Sequence, residues 1–145
     1  MFDTLEVGSG AFPEGDVNIE RYVTDKERVD YGLKTIFTLP EYFVKADAHC
    51  LPFKNEMFEK VICDHVLEHL DCPYKALVEA FRVLKSDGII DVRLPNAKLI
   101  TVEHKTHLYS WSPMSISNLL KKVGFKIEKL NPEVRSLNME LIAKK

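Results

Sequence analysis

Short apolar or alternating runs recur along the chain, and stretches of helical period lie between them. Asp3 to Val7 reads as a strand that stops at Gly8-Ser9-Gly10. Val17 to Tyr22, Tyr42 to Ala46, Lys60 to Cys63 and Ile89 to Leu94 read as four more strands. Thr24 can cap a helix over about Asp25 to Phe37, closed off by Pro40. Val66 to Leu70 can make one or two helical turns. Pro73 opens a helix on which Tyr74, Leu77, Phe81 and Leu84 share a face, and Asp87-Gly88 ends it. Ser112-Pro113 opens another, with Ile116, Leu119, Leu120 and Val123 as its buried stripe and Gly124 as its stop. Phe125 to Leu130 and Leu137 to Ala143 finish the chain as two strands.

Strands alternating with helices predict a single α/β domain over residues 1–145. Its expected form is a doubly wound, Rossmann-like, mostly parallel seven-stranded sheet. The last two strands are separated by only Asn131 to Ser136, too few residues for a parallel crossover, so they should form an antiparallel C-terminal hairpin. Between Gly10 and Val17 stand only six residues, including Pro13 and Gly15, so the usual first helix is expected to be missing. Its loss should bare part of one sheet face. An apolar patch there predicts a homodimer or a docked protein partner covering it.

Composition narrows the classes. A chain of 145 residues with 46% hydrophobic and 29% charged residues is globular and can bury a core without staples. No apolar run approaches the ~18 residues of a membrane helix, and no basic segment followed by an apolar one marks a secretion signal after Met1. Three cysteines, Cys50, Cys63 and Cys72, suit reduced thiols and a cytoplasmic location. The net charge of -2 does not indicate a nucleic-acid partner. Charge is nonetheless uneven, with eight carboxylates against three basic residues in 1–30 and seven basic against three acidic in 117–145.

Ligands of such sheets bind beyond the carboxyl ends of the strands. The Gly8-Ser9-Gly10 turn alone is weak evidence for any one of them. A dinucleotide site wants a third glycine where Pro13 stands, and pyrophosphate wants a helix N-terminus behind the glycines. A nicotinamide oxidoreductase is therefore disfavoured. Three carboxylates at successive strands suit a nucleoside without phosphate. Glu6 lies inside the first strand, Glu20 ends the second where an acid can accept both ribose hydroxyls, and Asp47 follows the third where it can accept from an exocyclic amine.

Leu5-Glu6-Val7-Gly8-Ser9-Gly10 is similar to the first motif of class I S-adenosylmethionine-dependent methyltransferases. Ala46-Asp47-Ala48-His49-Cys50-Leu51-Pro52-Phe53, followed by Met57 to Asp64 and then His65-Val66-Leu67-Glu68-His69-Leu70, resembles the ADA-x-x-LPF … VLEH signature of the small-domain members. Arg82 to Gly88, Leu94-Pro95-Asn96 and His107 to Phe125 continue the resemblance over nearly the whole chain. It implies S-adenosylmethionine as cofactor. Glu6 and the backbone of Gly8, Ser9 and Gly10 would hold the methionine end, and Glu20 the ribose. Asp47 would accept from the adenine amine, with the Ala48 backbone on the ring edge and Leu51 or Tyr22 against the ring face. Asp64, His65 and Val66 would lie near the sulfonium.

Methyl transfer from a sulfonium needs alignment of nucleophile and methyl group at about 3–3.5 Å, and a base only where the acceptor must lose a proton. The candidate bases are His65, Asp64 and His107. An Asn/Asp-Pro-Pro-aromatic motif is absent after the fourth strand, which disfavours amino-group acceptors of the adenine-N6 type and leaves an unidentified, small-molecule acceptor. Cys63, His65, His69 and Cys72 match no tetrahedral zinc spacing, so no metal site is expected. Phe12 stands where many relatives carry a third glycine, and the first helix and the relatives' N-terminal cap are expected to be lacking. These departures leave a second reading, a non-catalytic S-adenosylmethionine-binding or partner-activating scaffold.

Overall fold

The computed structural model describes residues 2–10, 12–21, 40–97, 106–131 and 138–145. Seven strands form one sheet: β1 (Thr4–Val7), β2 (Val17–Glu20), β3 (Phe43–Lys45), β4 (Phe58–Asp64), β5 (Leu84–Pro95), β6 (Lys126–Asn131) and β7 (Asn138–Lys144). Their order is β3-β2-β1-β4-β5-β7-β6. Every pair from β3 to β5 is parallel, and β7 runs antiparallel to both β5 and β6, as the short C-terminal connection requires. The helix expected over Asp25 to Phe37, with Tyr22, lies outside the described residues.

Two helices are described, α1 (Pro73–Val83) and α2 (Pro113–Val123). Ser112 caps α2 reciprocally with Ser115, and Gly124 ends it at a φ of 124° that a side chain would resist. α1 is shorter than its periodicity suggested. It stops at Val83, and Leu84 already opens β5 by bridging to Phe58, ahead of a register shift before the regular pairing from Ile89 onward. Its buried stripe is Pro73, Ala76, Leu77, Ala80 and Val83, so Tyr74 faces outward and Phe81 packs edge-on against Phe125.

Strand alternation gives the two sheet faces opposite characters. Leu5, Val7, Val17, Ile19, Val61, Cys63, Ile90, Val92, Leu94, Met139, Leu141 and Ala143 share one face by register. All are buried in one core with Leu77, Ala80, Ile116 and Leu120 of the helices. Each large apolar side chain buried this way contributes roughly 1.5–3 kcal/mol. The other face carries Thr4, Glu6, Asn18, Lys60, Asp64, Asp91, Arg93, Glu140 and Lys144, together with Ile62, Ile89 and Ile142. Both described helices therefore cover the same face, and winding is one-sided among the described residues.

Among the described residues, polar groups cover the part of this face at β1 and β2 where the missing helix was expected to leave a bare apolar patch. The described residues between β1 and β2 contain no helix. Instead residues 12–16 lie as a polar strap on the charged face. The Glu6 carboxylate accepts from the backbone N–H of Glu14 and, at 3.1 Å, of Gly15. Asn18 donates to the Gly15 carbonyl at 2.8 Å, and Asp16 accepts from the N–H groups of Asp3 and Thr4. Arg93 reaches Glu14 at 2.7 Å and Asp91 at 3.1 Å, and Lys60 meets Asp91 at 2.9 Å. This lattice of charges, with Lys and Arg stems over buried Asp91, does the covering. Among the described residues of β1 and β2 this leaves no apolar patch on which the expected dimer or partner would rest.

One further clamp positions the loop after β3. Arg82 of α1 donates to the carbonyls of Leu51 and Phe53, to Asn55 and, through two nitrogens, to both oxygens of Glu79. Glu79 in turn accepts the Leu51 N–H at 2.7 Å. The Arg82 guanidinium holds the Glu79 carboxyl below its ordinary value, against burial that pushes it up. A lowered folded pKa means stabilisation that is complete above the unfolded value of about 4.3 and lost as pH falls through the folded one. Arg82→Ala should therefore cost about 2 kcal/mol at neutral pH. The gap between variant and wild type, read from denaturant unfolding, should narrow on going from about pH 6 to about pH 3. An equal gap at both would show that Arg82 acts through its bonds to the carbonyls and Asn55 and not through the ionised Glu79.

Candidate functional site

The carboxyl ends of β1, β2 and β3 open onto a cavity of about 430 Å³. Its apolar walls are Val7, Ile19, Ala46, Val66, Leu70 and Leu108, and its polar groups include Glu20, Arg21, Asp47, His49, His69 and Asp71. A slot of this kind, apolar with a few convergent polar groups at the switch of a parallel sheet, is the usual place for a small ligand. Gly8 and Ala48 also line it.

Several of the residues singled out from the sequence meet here. Glu20 stands at the end of β2 and is half-buried. Asp47 follows β3 in a tight turn closed by the Cys50 N–H on the Asp47 carbonyl at 3.0 Å. Its carboxylate accepts from the His49 N–H at 2.9 Å, meets the His49 ring at 2.6 Å and pairs with Arg21 at 3.4 Å. Burial pushes the Asp47 carboxyl up, but these donors and the Arg21 charge together hold it below its ordinary value. The other ring nitrogen of His49 lies 3.0 Å from Asp71, close but not aligned as a hydrogen bond.

Gly8 is the pivot of the cavity floor. Its φ is 72°, and a Cβ built on it would stand 2.0 Å from Cγ2 of Val66. The strand end and the turn after β4 can approach only because the side chain is missing. The N–H groups of Gly8 and Ser9 both donate to the Ile19 carbonyl, at 2.9 and 3.2 Å, so this turn is spent on its own backbone. Ser9 is buried with an unpartnered hydroxyl, and Gly10 holds a φ of 56°. Ser9 and Gly10 do not line the cavity.

Other expected residues lie elsewhere. Glu6 is turned to the opposite sheet face, where it holds the strap. Burial raises its pKa, and the two backbone N–H groups work against that rise. It does not face the cavity, so the methionine-holding role expected of it has no support in the geometry. Leu51 is buried in the core, 4% exposed, and does not line the cavity; Val66, Leu70 and Leu108 do. Asp64 and His65 border a separate polar cleft of about 340 Å³ with Arg93, Asn131, Asn138 and Glu140. His65 has a left-handed φ of 50°, and its Nδ1 is 3.2 Å from buried Glu68, which raises the imidazole's pKa against the effect of burial. His107 borders neither cavity; its ring packs edge-on against His69, centroids 4.8 Å apart.

The sequence reading assigned no role to Arg21, His49, Asp71 or Thr106, all of which line the cavity. His49 stood inside the Ala46 to Phe53 run and could have been found there. Arg21 and Asp71 are ordinary surface charges in sequence and gave no signal.

A sequence model of the family described as methyltransferase domain matches residues 18–91. The ubiquinone/menaquinone biosynthesis C-methyltransferase of Blochmanniella floridana is 30% identical over 86 residues, covering 57% of this chain and 31% of that protein. The chain spans less than half the length of the curated relatives it matches. Among solved structures, a SAM-dependent methyltransferase from Thermotoga maritima, described as a possible histamine N-methyltransferase, superposes with a TM-score of 0.76 at 18% identity, over 100% of this chain and 83% of that one. A Haloferax volcanii protein solved with the Trm112 methyltransferase activator gives 0.72 at 12% identity, over 99% and 82%. Likeness at these identities shows the shared fold.

Gly8→Ala should collapse the cavity floor. The added methyl group meets Val66 at a backbone angle that disfavours any side chain, so a loss of at least about 2 kcal/mol is expected. Pairing it with Val66→Ala, which clears the space, should recover part of that loss in thermal melts. No recovery would mean that strain, and not the Val66 contact, fixes the position.

Proposed function

This chain belongs to the methyltransferase-domain family, and on that premise we propose that it binds S-adenosylmethionine in the cavity at the ends of β1 to β3 and transfers its methyl group to a small-molecule acceptor. The observation that carries the reading is the convergence of Glu20 and Asp47 on one apolar slot closed below by Gly8. When bound, the cofactor supplies a methyl carbon activated by a sulfonium leaving group.

The chain's own residues bind, orient and exclude water. Glu20 accepts from the ribose hydroxyls. Asp47, kept ionised by His49 and Arg21, accepts from the adenine amine, with the Ala48 backbone at the ring edge. Val66, Leu70 and Leu108 exclude water from the ring faces. The turn after β4 adjoins both cavities, with Val66 in the apolar slot and Asp64 and His65 in the polar cleft. An acceptor in that cleft lies beside the groups that can take its proton, His65 and Asp64. Positioning supplies most of the remaining rate, since the leaving group needs little help. With three free thiols, two of them exposed, we place the protein in a reducing compartment such as the cytoplasm. No described helix is long and apolar enough to cross a membrane.

One observation favours a second reading. The Gly8 and Ser9 amides and the Glu6 carboxylate are committed within the fold, which leaves the methionine end of the cofactor fewer partners than the adenosyl end. A scaffold that binds the cofactor without turnover, or activates a partner, is consistent with that.

Calorimetric titration with S-adenosylmethionine should give micromolar affinity. Glu20→Ala and Asp47→Ala should each weaken it at least about tenfold, the loss of one charge-assisted contact, while Glu6→Gln leaves it within a few-fold. No binding at millimolar cofactor would overturn the proposal. Binding without methyl transfer to any acceptor in a panel of small phenols, amines and carbon acids would favour the scaffold.

A further inference from the structure

A second cluster of donor atoms stands at the edge of the cavity. The turn after β4 places Glu68 and His69 side by side, and the segment leading into α2 brings His107 to them. One donor atom from each of Glu68, His69 and His107 lies within 4.8 Å of the other two. The backbone fixes the approach. The Glu68 carbonyl accepts from the N–H of Leu108 at 2.8 Å and of Tyr109 at 3.3 Å, and the Tyr109 hydroxyl donates to the Asp71 carbonyl at 3.0 Å.

Two observations point beyond ring packing. Glu68 is 1% exposed, yet its Oε2 has no hydrogen-bond partner, an expensive state for a buried carboxylate oxygen. Its other oxygen is held by His65. His69 is bonded at Nδ1 to the Thr106 carbonyl at 3.0 Å. That is the outer bond that orients a metal-ligating imidazole and presents Nε2 for coordination.

We propose that Glu68, His69 and His107 bind a divalent transition-metal ion of the zinc class beside the cavity, whose wall His69 helps to form. Two imidazoles and one carboxylate suit Zn²⁺, Co²⁺ or Fe²⁺ better than Mg²⁺ or Ca²⁺, which prefer all-oxygen sets. Bonds of about 2.0–2.1 Å place tetrahedral donors roughly 3.3 Å apart, so the three groups close by about 1–1.5 Å around the ion. Three protein ligands leave a fourth position for water or for a donor atom of a molecule in the cavity. The ion neutralises the orphaned carboxylate oxygen. The site was invisible in sequence because Glu68 and His69 are 38 residues or more from His107 and follow no zinc spacing.

The test uses the full chain, free of metal and without any nucleoside, so that its outcome is independent of cofactor binding. Titration with Co²⁺ should saturate at one equivalent with micromolar affinity, show the visible bands of a low-symmetry site, and be reversed by Zn²⁺. His107→Asn and His69→Asn should each weaken Co²⁺ binding at least tenfold with unchanged far-ultraviolet circular dichroism. The Cys50→Ala/Cys72→Ala double variant, which removes the two exposed thiols, should bind as wild type. His107 lies in an irregular segment, so its variant remains informative should the change at His69 disturb folding. No Co²⁺ binding at 100 micromolar overturns the site. So does binding that survives His107→Asn, or that disappears with the two thiols.

Discussion

A parallel strand pair joined by only nine residues, 8 to 16, sets the terms on which this fold is built. Parallel neighbours normally need a dozen or more residues and a helix to return the chain. Here β1 and β2 are four residues each, so an extended strap spans the return. A strap has no apolar stripe to offer the sheet, and its own amides need acceptors. Both demands are met by making the underlying face polar. Glu6 and Asn18 bind the strap, Asp16 binds the start of β1, and Arg93 ties Glu14 to Asp91 and Asp64.

Among the described residues, the apolar packing lies on the other face. The helices and the apolar halves of β1, β4, β5 and β7 make one continuous core, and the site is built from the strand ends that this core fixes. The Arg82–Glu79 clamp is the link between the two. It holds the backbone of Leu51 and Phe53 to α1, and that same loop carries Asp47, Ala48 and His49 into the cavity. The core therefore positions the binding groups through a hydrogen-bonded connection rather than through loop packing alone.

Much of this was legible. Periodicity placed all seven strands and both described helices, and the six-residue C-terminal link required the antiparallel pairing that β6 and β7 show. Alternation held more than was drawn from it. Strands of a sheet covered on both faces read as continuous apolar runs. Glu6 between Leu5 and Val7, and Asp91 and Arg93 among Ile90, Val92 and Leu94, alternate instead, in keeping with one apolar and one charged face among the described residues. The end of α1 was illegible because Leu84 continues the helical spacing while pairing with Phe58, and a local period cannot report a long-range bridge. The cavity lining from Arg21, Asp71 and Thr106 depends on loops brought together by the fold, and no spacing along the chain encodes that.

The strap also decides what Glu6 can do. A carboxylate at the middle of β1 has two possible clients, a ligand at the strand ends or the amides of its own connection. A helix after the glycines would have satisfied those amides internally beyond its first turn and left the acid free. Without it, the N–H groups of Glu14 and Gly15 take Glu6 as their acceptor, and releasing the carboxylate would give up both bonds, each worth roughly 1.5–3 kcal/mol to a charged acceptor. Gly15 packs so closely on Glu6 that a Cβ there would stand 2.8 Å from the Glu6 nitrogen, so only glycine lets the connection come this near. The short connection thus holds the first acid in place, and of the three strand-end acids only Glu20 and Asp47 line the cavity.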